Sequence, residues 1–131
     1  MTSRLAVLVT GSRDWNDRDA VIAALNRVDG MFNERVLIHG DARGLDRMAA
    51  EIAAASGWTV LAMPASWDEL GSSAGPVRNR EMVRVLCALL VCGYECRALA
   101  FPLPESRGTW QCVRVAKDAG FDPVIVKSEA E

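Results

Sequence analysis

Leu5-Ala6-Val7-Leu8-Val9-Thr10-Gly11-Ser12 is the stretch that decides the fold. Five apolar residues run without interruption and then stop at a threonine, a glycine and a serine. A strand with one wet face alternates apolar and polar residues. A continuous apolar run of this length instead suits a strand buried on both faces, as in a parallel sheet covered by helices.

Working outward, the same signal returns at regular intervals, separated by helical periods. From Asp17, Val21, Ala24, Leu25 and Val28 form one helical stripe closed by Gly30. Val36 to His39 reads as a second buried strand, halted at Gly40. Gly44 to Ser56 is a helix with Leu45, Met48, Ala49, Ile52 and Ala53 inside, and Gly57 ends it. Thr59 to Met63 is a third strand stopped by Pro64. Residues 65–75 read as a loop, leading to a helix expected to start at Pro76 with Met82, Val85, Leu86 and Leu89 facing inward. Ala98 to Phe101 is a fourth strand, Gly108 to Ala119 a helix, and Pro123 to Val126 a fifth strand. Lys127 to Glu131 reads as a frayed polar tail. Strands alternating with helices predict a single α/β domain with a parallel sheet of about five strands and helices on both faces, three layers in all.

The 131 residues suffice to bury a core without staples. A net charge of −2 argues against nucleic acid or an acidic membrane as a general partner, while leaving room for a local basic pocket. The apolar run Val83–Cys92 contains Arg84 and is too short to span a bilayer. Met1 to Arg4 carries no targeting signal, and a cytoplasmic protein is expected. Cys87, Cys92, Cys96 and Cys112 lack metal-site spacing and read as thiols of a reducing compartment, so neither a metal nor a cofactor is expected. His39, the single histidine, reads as a strand-end residue rather than a base.

In such a sheet the strand-to-helix loops share one edge, where ligands bind. This sequence places there Gly11-Ser12-Arg13-Asp14-Trp15, then Gly40-Asp41-Ala42-Arg43-Gly44-Leu45-Asp46-Arg47, then a loop with Trp67 running into Gly75-Pro76-Val77-Arg78-Asn79-Arg80, and lastly Ser106-Arg107-Gly108-Thr109-Trp110. Six of the 13 arginines (Arg13, Arg43, Arg47, Arg78, Arg80 and Arg107) and three of the four tryptophans fall in these segments. Glycines admit a phosphate to backbone N–H groups, arginines bind it, and an indole stacks on a base. Taken together, the loops read as a nucleotide site. Arg78, Arg80 and residues 106–109 hold phosphate, Gly11 to Arg13 close the neighbouring side, and Trp15 or Trp67 covers the base. Asp14, Asp41 and Asp46 are the candidate catalytic carboxylates. Asp41 and Asp46 suit a ribose or a water, and equally a helix cap or pairing with Arg43 and Arg47. There is no GxxxxGK[ST] or GxGxxG motif.

These four ordered motifs resemble the YspA/cpYpsA-related branch of the SLOG superfamily, small Rossmann-like proteins of bacteria and phages. The resemblance spans nearly the whole chain. It implies a Rossmann-like sheet ordered 3-2-1-4-5, a nucleotide or nucleotide-derived ligand and a homodimer, and the convergence of the loops at one sheet edge suggests a role as sensor or sequestering module. Two relatives suggest alternatives. Arg78-Asn79-Arg80 resembles a segment of the DNA-processing protein DprA, whose domain takes part in binding single-stranded DNA. Arg78 and Met82 fit the Arg-to-Met spacing of the LOG phosphoribohydrolases, which cleave the base from nucleoside 5′-monophosphates. Gly108-Thr109 matches part of their PGGxGTxxE motif, but the leading glycines are missing and the glutamate position is Cys112.

Overall fold

A computed structural model describes residues 3–129. Residues 1, 2, 130 and 131 lie outside it; they include the start of the chain read for a targeting signal and the end of the tail. Five strands, β1 (Arg4–Gly11), β2 (Glu34–His39), β3 (Thr59–Ala62), β4 (Glu95–Phe101) and β5 (Val124–Ile125), form one sheet. Every pairing is parallel and the order is β3-β2-β1-β4-β5. Four longer helices connect them, α1 (Arg18–Asp29), α2 (Leu45–Ala55), α4 (Ala74–Val91) and α5 (Arg107–Asp118), with a single-turn helix α3 (Trp67–Leu70) ahead of α4. This is the Rossmann-like arrangement that the alternation and the resemblance imply.

β1 is the middle strand and its pleat sorts the core. Leu5, Val7 and Val9 point into a cluster with Val21 and Leu25 of α1 and Leu45 and Ile52 of α2. Ala6 and Leu8 point the other way, to Met82, Val83 and Leu86 of α4 and Cys112 and Ala116 of α5. Both faces of the strand are dry, which is why its sequence does not alternate. Among the described residues no helix is long and apolar enough to cross a membrane.

Several boundaries differ from those read in the sequence, and three have an evident local reason. Residues 65–75 are not a plain loop: α3 and a 3₁₀ turn, Gly71–Ser73, fill most of them. Proline is therefore not the first residue of the next helix, which begins at Ala74. Pro76 stands third, where its missing N–H still lacks an intrahelical acceptor. β4 starts at Glu95, because its first residues pair with β1 although they are polar (Leu5 with Glu95, Val7 with Arg97). The tail is anchored as far as described. Asp17 caps α1 by accepting from the Ala20 N–H, and its other oxygen accepts from Ser128 Oγ at 3.2 Å and Glu129 N–H at 2.9 Å.

The loops after β1 and β2 are locked to each other at their bases. Gly44 adopts φ +79°, and a Cβ there would run into the Arg13 backbone. Its neighbour Leu45 donates its N–H to Ser12 O at 3.1 Å, and Ser12 N–H reaches Phe101 O at 3.0 Å. The ends of β1 and β4 and the start of α2 are thereby fixed together at the carboxyl edge.

Candidate functional site

The sheet order reverses between β1 and β4, and this switch point is where an α/β sheet opens a crevice. A cavity of about 470 Å³ lies there, lined by Thr10 to Asp14, by the start of α4 and by residues 104–109. A second cavity of about 350 Å³ adjoins it beside the loop after β2, lined by Gly40 to Arg43, Arg47, Pro64 and Ala65. Arg13, Ala42, Arg43, Trp67 and Arg78 line both.

Arg78 stands on this dividing wall and is held before any ligand arrives. Its Nη1 donates to Gly40 O, and its Nε to Asn79 Oδ1 at 3.0 Å. Gly40 carries no side chain because the guanidinium occupies the space a Cβ would need. Among the described residues Nη2 makes no hydrogen bond, so it is the donor left for an anion. Asn79 is 4% exposed and its amide is spent inside the protein. Its Nδ2 donates to Gln111 Oε1 at 2.6 Å and Gly108 O at 3.3 Å, clamping α4 to α5. Asn79 therefore aims Arg78 and sets the spacing of the two helices.

The first turn of α5 supplies a second group of donors. Ser106 does not cap the helix: its hydroxyl accepts from Leu103 N–H at 2.9 Å. Arg107 N–H turns back to Glu105 O, while no acceptor is found for the Gly108 and Thr109 N–H groups among the described residues. Both residues line the first cavity. Such orphan donors at the positive end of a helix favour an anion. Glu105 beside them has φ +68°, a backbone form that a non-glycine residue adopts at some cost.

Asp46, in the first turn of α2, is 5% exposed and lines the first cavity. Its Oδ2 accepts from Gly40 N–H at 3.1 Å and Ala42 N–H at 3.3 Å. Burial pushes its carboxyl up to about 6, against the pull of those two N–H groups and of Arg78. His39 is buried too, and burial lowers its pKa. Its Nδ1 accepts from Asp41 N–H at 2.9 Å, so the neutral ring shapes the turn. The outer carboxylates hold arginines loosely at the surface, Asp14 to Arg43 at 3.6 Å and Asp41 to Arg47 at 3.5 Å. Exposed pairs of this kind contribute about 1 kcal/mol or less and yield readily to a ligand.

The two cavities thus gather most of the residues singled out in the sequence. Gly11, Ser12, Arg13, Asp14, Arg43, Asp46, Trp67, Gly75, Arg78, Asn79, Ser106, Arg107, Gly108 and Thr109 line the first, and Gly40 and Asp41 the second. Three fall elsewhere. Trp15 is 2% exposed in the core, edge-on to Phe101 at 5.3 Å between ring centres, with its N–H on Asp17 O. It cannot cover a base. Trp67 is 46% exposed with Arg13 over its ring at 5.7 Å, and is the indole at the cavities. Arg80 is exposed and lines neither cavity, because two residues along a helix place it away from Arg78. Gly44 serves the loop junction. Sequence reasoning missed Pro104, Glu105 and Gln111. Gln111 was within reach, since it lies three residues after Gly108 on one face of α5.

Residues 5–69 match the sequence model described as the YspA, cpYpsA-related SLOG family. Over 127 residues the chain is also 42% identical to Gene 61 protein of Mycobacterium phage D29, an alignment covering 91% of this chain and 93% of that protein. The chain belongs to the YspA, cpYpsA-related SLOG family. Membership suggests a nucleotide-related ligand in broad terms, and the phage relative's name adds no activity. The SLOG match covers the loops after β1 and β2, and the phage relative extends the likeness through α4, β4 and α5.

The position where a LOG enzyme carries its glutamate is closed in this SLOG chain. Cys112 is fully buried among Met82 and Leu86, and burial pushes its thiol up to about 11. It is neither a nucleophile nor a carboxylate substitute. Among the described residues no group of three or more His, Cys, Asp or Glu side chains stands together as a metal site.

Proposed function

We propose that this protein binds a nucleotide or nucleotide-derived ligand in the crevice between β1 and β4, as a sensor or sequestering module. The observation that carries the reading is the convergence of the pinned Arg78 and the uncapped first turn of α5 on one cavity. Phosphate is held by Arg78 Nη2, Arg107 and the Gly108 and Thr109 N–H groups. The base lies against Trp67, the exposed indole on the wall. Titration calorimetry with the four nucleoside 5′-monophosphates tests this. Binding by at least one is expected, weakened about tenfold or more in Arg78→Ala, since a charge-assisted bond is worth about 1.5–3 kcal/mol. A folded protein that binds none of them, alone or within a larger nucleotide, ends the reading.

A second reading, N-glycosidic cleavage, draws on Asp46. It is a cavity-lining carboxyl near neutrality, the property a general acid or base needs. It predicts free base on incubation with a nucleoside monophosphate, lost in Asp46→Asn while binding persists. Unchanged substrate after long incubation removes it.

A further inference from the structure

We infer that the natural ligand consists of two nucleotide units joined through phosphate, one seated in each of the adjoining cavities. This rests on the nucleotide reading above and specifies its ligand class. A small-molecule site typically encloses about 300–1,000 Å³. The first cavity alone, at about 470 Å³, is modest, and the second adds about 350 Å³ beyond the same wall.

Charge makes the argument stronger. Five arginines line the combined space: Arg107 in the first cavity, Arg47 in the second, and Arg13, Arg43 and Arg78 between them. One phosphate monoester has three terminal oxygens and is satisfied by Arg78 and the start of α5. That leaves Arg13, Arg43 and Arg47 facing the second cavity, with Arg43 held by Asp14 at 3.6 Å and Arg47 by Asp41 at 3.5 Å in exposed pairs that an anion can displace. Arg13, in no ion pair among the described residues, and these two loosely held arginines suit a second anionic group.

The carboxylates are arranged in parallel fashion. Each cavity has one acidic residue in the left-handed backbone region, Glu105 at φ +68° in the first and Asp41 at φ +56° in the second. Carboxylates are the usual acceptors for ribose hydroxyls, and each chamber carries at least one, Asp41 in the second and Glu105, beside Asp14 and Asp46, in the first. Trp67, with Arg13 over its ring, stands where the two units meet.

Calorimetry decides it, with three probes: the nucleoside 5′-monophosphates, the matched 5′-phosphorylated linear dinucleotides, and diadenosine diphosphate for a pyrophosphate linkage. The expected result is that at least one two-unit probe binds about tenfold or more tighter than its best monophosphate. That preference falls about fivefold or more in Arg47→Ala. Arg47 lines only the second cavity and its side chain is 63% exposed, so its loss leaves the fold intact. Monophosphate binding without a two-unit preference, or a preference indifferent to Arg47, overturns this inference and spares the nucleotide reading. Silence from all three probes overturns both.

Discussion

Asp46 shows how a single burial sets behaviour at the residue scale. Its pKa stands above the ordinary 3.8, at about 6, so between those values the folded protein holds a proton that the unfolded chain has released. Stability from this group is therefore complete below about pH 4 and is lost as pH rises through 6. The shift corresponds to about 3 kcal/mol. Asp46→Asn keeps an oxygen for the Gly40 and Ala42 N–H groups and removes the titration. Urea midpoints of the two proteins are expected to converge near pH 4, with the variant ahead at pH 7.5. Equal spacing at both values contradicts the buried acid. His39 has the opposite sign: its lowered pKa makes stability grow as pH climbs toward 6.5. Comparing the two proteins cancels it.

At the scale of elements, the decisive contacts are between loops and helix starts. Gly44→Ala forces a side chain into the left-handed region and against the Arg13 backbone. It is expected to destabilise by on the order of 2 kcal/mol, lowering the thermal midpoint by several degrees. A midpoint within one degree of wild type shows the junction to be slack. Asn79→Ala opens the α4–α5 clamp and frees Arg78. It should weaken monophosphate binding about as much as Arg78→Ala, although Asn79 spends its amide within the protein. The sequence made the elements legible because β1, β2 and the apolar stripes of α1 and α2 carry the period of a two-sided sheet. The start of α4 was not legible, since Gly71, Ser72 and Ser73 read as loop residues and only packing turns them into a 3₁₀ turn. Arg80 was grouped with Arg78 because both were read in the first turn of a helix, but residues two apart on a helix do not share a face.

For the whole molecule, the parallel order β3-β2-β1-β4-β5 brings residues nearly one hundred positions apart to one edge, Gly11 to Gly108 among them. That convergence could be anticipated from strand–helix alternation alone, which is why most of the cavity lining was readable. The division into two chambers was not, because it depends on where Arg78 folds over Gly40 and on the position of Trp67. A ligand held by the folded state alone raises stability by about 2.7 kcal/mol at one hundred times its dissociation constant. Thermal melts with rising nucleotide should therefore climb steadily without saturating, and Arg78→Ala should flatten the climb. A midpoint indifferent to every nucleotide that calorimetry shows to bind would mean that the unfolded chain binds equally well.

The guanidinium of Arg78, fastened at Gly40 and Asn79 in advance, also has a consequence for time. A donor already in place needs no search of its rotamers at encounter, so little ordering remains to slow capture. Association is then expected at the ordinary orientational limit, about 10⁵–10⁷ M⁻¹s⁻¹, for matched and mismatched nucleotides alike. Ligands will differ in how long they stay.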